Sequence, residues 1–152
     1  MKKALSVVLL LAVLLLAGCA AQTEPTTVPE EINAPNVITV TTVDELLAAI
    51  GPDREILMEP GRYNLYWARD YGCKSENEYY VWEEYGDGYQ LKLIGVENLT
   101  IRGSGMDTAT LVTQPRDANV LVLQNCVNIV LENFTAGHTD SGKCAGGVVS
   151  LM

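Results

Sequence analysis

Apolar and polar positions along this chain repeat at a fixed offset of thirty residues. Leu91-Lys92-Leu93-Ile94-Gly95-Val96-Glu97-Asn98-Leu99-Thr100-Ile101 returns as Leu121-Val122-Leu123-Gln124-Asn125-Cys126-Val127-Asn128-Ile129-Val130-Leu131. Leu91, Leu93, Leu99 and Ile101 each meet an aliphatic residue one period later, and Asn98 meets Asn128. Inside each repeat the alternation is that of strands. Leu99 and Ile101 point one way and Thr100 and Arg102 the other, and Ile129, Leu131 and Val130, Glu132 do the same. Such a period marks a stacked architecture in which each repeat buries its apolar side against the next.

The pattern predicts strands at 91–93, 99–101 and 110–113 as one set of three, and at 120–123, 129–131 and 148–151 as the next. Shorter strands are predicted at 37–40 and 56–58, the latter followed by a Glu59-Pro60-Gly61 turn. Between them the period changes. Val43, Leu46, Leu47 and Ile50 fall on a single helical face, Thr42 with Glu45 forms a capping box, and Gly51-Pro52 ends the helix. Three strands per thirty-odd residues without a return hairpin predict an all-β domain. Its expected form is a parallel β-helix of about three coils under a short N-terminal capping α-helix. Asn98 and Asn128 fall where the chain bends, and asparagine tolerates left-handed backbone there and can hydrogen-bond from coil to coil. A β-sandwich also alternates, but it gives no reason for a fixed phase.

The first eighteen residues add a different signal. Lys2 and Lys3 precede an almost unbroken apolar run over 5–16, which Leu16-Ala17-Gly18-Cys19 closes. The run is too short for a membrane span and reads as a secretory signal. Its ending resembles the lipobox of bacterial lipoproteins. That resemblance implies cleavage before Cys19, acylation of the Cys19 sulfur, and a mature chain held on a bilayer in the cell envelope; the alternative is an ordinary signal peptide with a chance cysteine. Residues 19–36 are rich in Thr, Pro and Glu and are expected to form an extended tether to a folded domain over 37–152.

Charge narrows the partners. Ten Lys+Arg stand against 19 Asp+Glu, a net charge of −9, and cleavage would remove Lys2 and Lys3 and take it to about −11. That balance repels nucleic acid and anionic headgroups and leaves a neutral glycan or a cation as the fitting partner. Export permits disulfides, and Cys73, Cys126 and Cys144 remain beyond Cys19. Cys126 and Cys144 are the expected pair, with three small buried thiols as the alternative.

The capped helix, the Ile56-Leu57-Met58-Glu59-Pro60-Gly61-Arg62-Tyr63 segment, the Asn-Leu-Thr-Ile-Arg-Gly and Asn-Ile-Val-Leu-Glu-Asn repeats and the Gly-His-Thr…Cys-Ala-Gly-Gly-Val-Val ending resemble right-handed parallel β-helix proteins of the pectin-lyase-like superfamily. The resemblance covers roughly 37–151. It implies polysaccharide as the substrate class, lyase or glycoside hydrolase chemistry as one outcome, and calcium by analogy alone. No catalytic position carries over, because Arg102 and Arg116 match no family motif and no aspartate cluster accompanies them. Proteins of this kind carry more coils than the repeats here supply, and 148–152 runs to the last residue within a strand. A truncated reading frame, or end-to-end association through an uncapped last coil, is therefore expected.

The chemistry available is concentrated in one insert. All seven tyrosines and both tryptophans fall between Tyr63 and Tyr89, interleaved with Asp70, Glu76, Glu78, Glu83, Glu84 and Asp87. Aromatic faces stack on sugar C–H surfaces and carboxylates accept from hydroxyls, so Tyr66, Trp67, Tyr71, Tyr79, Tyr80, Trp82 and Tyr85 are the candidate glycan-binding residues. The competing reading is that the insert folds back and its rings cover the flank of the β-helix. Glu83, Glu84 and Asp87 are the carboxylates a hydrolase would draw on, but neighbours in sequence do not define a cleft. His138, with Asp140 and Cys144, offers too few ligands for a metal; a turn over 137–142 is expected there, with no cofactor.

Overall fold

The computed structural model describes residues 36–72, 77–105, 108–139 and 142–152. The proposed leader, Cys19, most of the tether, Cys73, Glu76 and Asp140 lie outside these residues, as does the side chain of Tyr71.

β1 (Asn36–Val40) leads into α1 (Val43–Ala49), whose capping box is formed as the sequence predicts. The Glu45 N–H donates to the Thr42 hydroxyl oxygen at 3.2 Å, and the Glu45 carboxylate accepts from the Thr41 and Thr42 N–H groups at 2.7 and 3.2 Å. These hydrogen bonds, the Thr41 N–H first, hold the Glu45 carboxyl below its ordinary range. Leu46, Leu47 and Ala49 bury the inner face of the helix.

Strands follow in a repeating order. They are β2 (Arg54–Met58), β3 (Gly61–Asn64), a single helical turn α2 (Leu65–Trp67) continued by a wider turn over Ala68–Gly72, β4 (Tyr80–Tyr85), β5 (Gly88–Ile94), β6 (Glu97–Gly103), β7 (Ala109–Thr113), β8 (Leu121–Gln124), β9 (Val127–Glu132), β10 (Thr135–His138) and β11 (Val149–Leu151). Among the described residues they form three sheets, ordered β1-β2-β6-β9, β3-β7-β10 and β4-β5-β8-β11. Every pairing but one is parallel. The domain is therefore all-β, built on parallel sheets. β2, β3 and β5 visit the three sheets in turn, β6, β7 and β8 repeat the circuit, and β9, β10 and β11 repeat it again.

The thirty-residue period is the register of this stack. Leu91 pairs with Leu121 and Leu93 with Leu123 in the third sheet, while Leu99 pairs with Ile129 and Ile101 with Leu131 in the first. One apolar core runs between the sheets through Ile56, Leu99 and Ile101 of the first, Tyr63 and Leu111 of the second, and Leu91, Leu93, Leu121 and Leu123 of the third. Gly103 shows how closely the circuits approach: a Cβ there would meet the Asn133 carbonyl oxygen at 2.2 Å.

Two predicted placements change. The sequence pattern groups 148–151 with 120–123 and 129–131, but β11 lies on β8, one circuit further along. The place beside β7 belongs to β10, where a turn was expected; Thr135-Ala136-Gly137-His138 lacks the large aliphatic residues that announce a strand. The aromatic insert also has more order than its sequence promised. Tyr80–Tyr85 pairs antiparallel with Gly88–Ile94 across a two-residue Gly86-Asp87 connection, with Gly86 at φ +58° as mirror-image hairpin turns require. β4 thereby ends the third sheet, as β1 ends the first.

Candidate functional site

The residues around the end of α1 are fixed by its free carbonyls, which a helix C-terminus must satisfy from outside. Asn77 donates from Nδ2 to the Leu47 and Ile50 carbonyls at 3.1 and 2.8 Å. Arg54 donates from Nη1 to Ala49 O and from Nε to Pro52 O, both at 3.1 Å. The Asn77 Oδ1 accepts from the Tyr79 N–H at 2.8 Å and turns the chain into β4.

This arrangement opens a groove of about 750 Å³ between the end of α1 and the start of β4. Its floor is apolar, from Ala48, Ile50, Tyr80 and Trp82, and its polar groups come from Arg54, Asn77, Glu78 and Tyr79. Tyr80 and Trp82 pair with Leu93 and Leu91, so their rings share the core-facing side of the sheet. The two rings meet edge to face, 6.3 Å between centroids at 78°. Tyr80 is buried, whereas Tyr79 and Trp82 are half-buried against the core and keep part of their surface open. The charge of Glu78 and its hydrogen bond raise the Tyr79 hydroxyl above its ordinary pKa, with Arg54 opposing. Aromatic faces beside a carboxylate, an amide and a guanidinium can stack on a sugar ring and accept or donate to its hydroxyls.

Of the seven predicted aromatic residues, Tyr79, Tyr80 and Trp82 come together here. Tyr66 lines a second cavity of about 340 Å³ with Asp87, Gln114, Pro115 and Arg116. Trp67 and Tyr85 are about half exposed and line neither. Two aromatic residues outside that set have structural positions. Tyr63 is buried and donates to Val40 O at 2.8 Å and Glu59 O at 3.0 Å, and its burial raises its pKa. The Tyr89 ring carries the Arg69 guanidinium 3.2 Å above its centroid. Arg54 and Asn77 escaped notice in the sequence because they enter the groove as helix caps. Their only signal is position, just after the helix stop and thirty residues on from Leu47.

Two of the three carboxylates named for a hydrolase, Glu83 and Asp87, are engaged in hydrogen bonds of the fold, while Glu84 is exposed. Glu83 pairs with Lys92 and accepts from Gln90 Nε2 at 2.6 Å; these bonds, Lys92 first, lower its pKa. Asp87 accepts from the Arg116 and Asp117 N–H groups at 2.8 and 2.9 Å, which lowers its pKa in turn. Both are held ionised, the opposite of what a general acid requires. Cys126 and Cys144, the expected disulfide, are separate free thiols, and the Cys126 thiol lies 3.4 Å from the Gln124 carbonyl oxygen. His138 Nε2 lies 2.9 Å from the Ala118 carbonyl oxygen, and among the described residues no cluster of three His, Cys, Asp or Glu side chains could hold a metal ion. No described helix is long and apolar enough to cross a membrane. Set beside family models, curated proteins and solved structures, the chain matches none of them.

Proposed function

We propose that this protein is a right-handed parallel β-helix lipoprotein of the pectin-lyase-like kind, exported to the cell envelope, held to a bilayer by acylated Cys19, and binding neutral glycan in the groove between α1 and β4. The architecture is supported by three sheets visited in one order on each circuit, with the thirty-residue period as their register. The observation that carries the binding reading is the juxtaposition of Tyr79 and Trp82 with Glu78, Asn77 and Arg54 in one open groove. Neutral rather than acidic polymers fit, because a net charge near −11 opposes a polyanion. The enzymatic alternative, a lyase or hydrolase, has weaker support, since Glu83 and Asp87 are locked in hydrogen bonds between neighbouring strands and circuits.

Affinity electrophoresis through gels holding neutral polysaccharides tests the reading. The wild-type chain is retarded by at least one polymer; Tyr79→Ala and Trp82→Ala weaken that retardation roughly three- to tenfold, the value of a lost stacking contact. Tyr85→Ala leaves it unchanged. Equal retardation of all four proteins, or none across the panel, defeats the assignment.

A further inference from the structure

Two cavities of the same chemistry lie at the two ends of β4. At its start is the groove, where Tyr79 and Trp82 stand beside Asn77, Arg54 and Glu78. Beyond its last residue is the cavity of about 340 Å³, where Tyr66 stands beside Gln114, Arg116 and Asp87. Each combines an aromatic ring, a carboxamide, a guanidinium and a carboxylate. That set stacks on a sugar face and exchanges hydrogen bonds with its hydroxyls. Asp87 is not used up by its two backbone donors, because two carboxylate oxygens offer about four acceptor positions. The hairpin tip is also pressed directly onto the next circuit, since a Cβ at Gly88 would meet Pro115 Cγ at 2.3 Å. The second cavity is therefore held in shape before any ligand arrives.

Polar groups line the way between them. Trp82 and Glu84 share one side of β4, paired with Leu91 and Tyr89, and Glu84 is exposed. Arg69, also exposed, holds its guanidinium over the Tyr89 ring, and Tyr66 sits on the turn just before it. Tyr85 lies on the opposite side of the strand, paired with Gly88. From Trp82 to Asp87 the hairpin runs about 15 Å, further than a disaccharide reaches. We infer that the site is a track along β4, with the Tyr66–Arg116 cavity as its second subsite, and that its ligand is an extended, linear, neutral glycan chain. The track rests on the groove being a glycan site, and adds to it a length requirement and the residues that hold the far end of the chain.

Calorimetric titration of the full chain in mild detergent provides the test, with cello-, xylo-, manno- and malto-oligosaccharides as probes. In the series that binds, the hexasaccharide is expected to bind about tenfold more tightly than the disaccharide, the value of one further stacking contact. Tyr66→Ala and Arg116→Ala each weaken the hexasaccharide roughly three- to tenfold and leave the disaccharide unchanged, whereas Trp82→Ala weakens both. Arg116→Ala removes only a partly exposed side chain, so it decides the matter if the loss of Tyr66 disturbs the fold. A hexasaccharide no tighter than the disaccharide, with Trp82→Ala still weakening both, overturns the track and leaves the groove reading standing. So does a gain with length that survives both substitutions. No binding in any series removes the groove reading and the track with it.

Discussion

Asn128 donates from Nδ2 to Oδ1 of Asn98, 2.9 Å away and thirty residues earlier, and both hold φ at +54°. Asn98 in turn donates to Asp53 Oδ1 at 2.7 Å, and Asp53 has φ +52°. One corner of three successive circuits is thus a column of left-handed residues joined through their side chains. Asn98→Ala removes two of these hydrogen bonds and leaves a residue that tolerates left-handed backbone less well than asparagine, a loss of about 2–3 kcal/mol. Asn98→Gly relieves the strain but not the lost bonds, and is expected to be about 1 kcal/mol less harmful. Urea midpoints measure both; a glycine variant no more stable than the alanine variant removes the backbone argument.

Burial along the stack makes a second prediction. Ile101 and Leu131 are register partners, but only Ile101 is fully enclosed. Ile101→Ala should destabilise by about 2–5 kcal/mol, as large-to-small core changes do. Leu131→Ala should cost roughly half as much, because Leu131 is only partly covered. Denaturant titrations of the two variants measure the difference. Equal losses would mean that Leu131 is as fully enclosed as Ile101.

Much of this fold was legible because the core depends on repetition. A residue stacked on its equivalent thirty positions away leaves its mark in the sequence, and Leu91, Leu93, Leu99 and Ile101 all found their partners as predicted. The cap on α1 was legible because it is local, needing only Thr42 and Glu45. β10 was not, since Gly137 and Ala136 supply strand backbone without strand side chains. β4 was hidden differently. Tyr80 and Trp82 alternate with Val81 and Glu83, but Glu83 faces outward to meet Lys92 and Gln90, so the stretch reads as a charged loop until its partner strand is known. The groove depends on Arg54 and Asn77 reaching helix carbonyls, a tertiary contact without periodic trace.

Asp87 links stability to pH. Its carboxylate accepts from two backbone N–H groups of the next circuit, which places its folded pKa below the unfolded value. The stabilisation is present in full above the unfolded value and is lost as pH falls through the folded one, so the window lies below about pH 4. Glu83, held down by Lys92 and Gln90, acts in the same direction. Asp87→Asn should therefore destabilise at pH 7, and by less at pH 2, because the wild type loses its charge-dependent stabilisation as its carboxylate takes up a proton. A deficit of the same size at both pH values would mean that the charge of Asp87 contributes nothing.

The membrane prediction rests on Cys19 and can be tested independently of the fold. One acyl chain gives only marginal, reversible attachment at about 0.8 kcal/mol per buried methylene, whereas two or more hold a protein on a bilayer through washing. A lipobox-type ending at Leu16-Ala17-Gly18-Cys19 implies a diacylglycerol thioether, which already supplies two chains. In a bacterial host the wild-type chain should incorporate labelled palmitate and stay with membranes through a carbonate wash. Cys19→Ala should incorporate none, and any copies cleaved after the apolar run should enter the soluble fraction. Because the polypeptide beyond Cys19 is strongly acidic, it has no electrostatic attraction to anionic headgroups that would retain it without the lipid. Wild-type protein that takes up no label, or processed Cys19→Ala protein that resists the wash as well as wild type, would show that something other than acylated Cys19 holds the chain at the membrane.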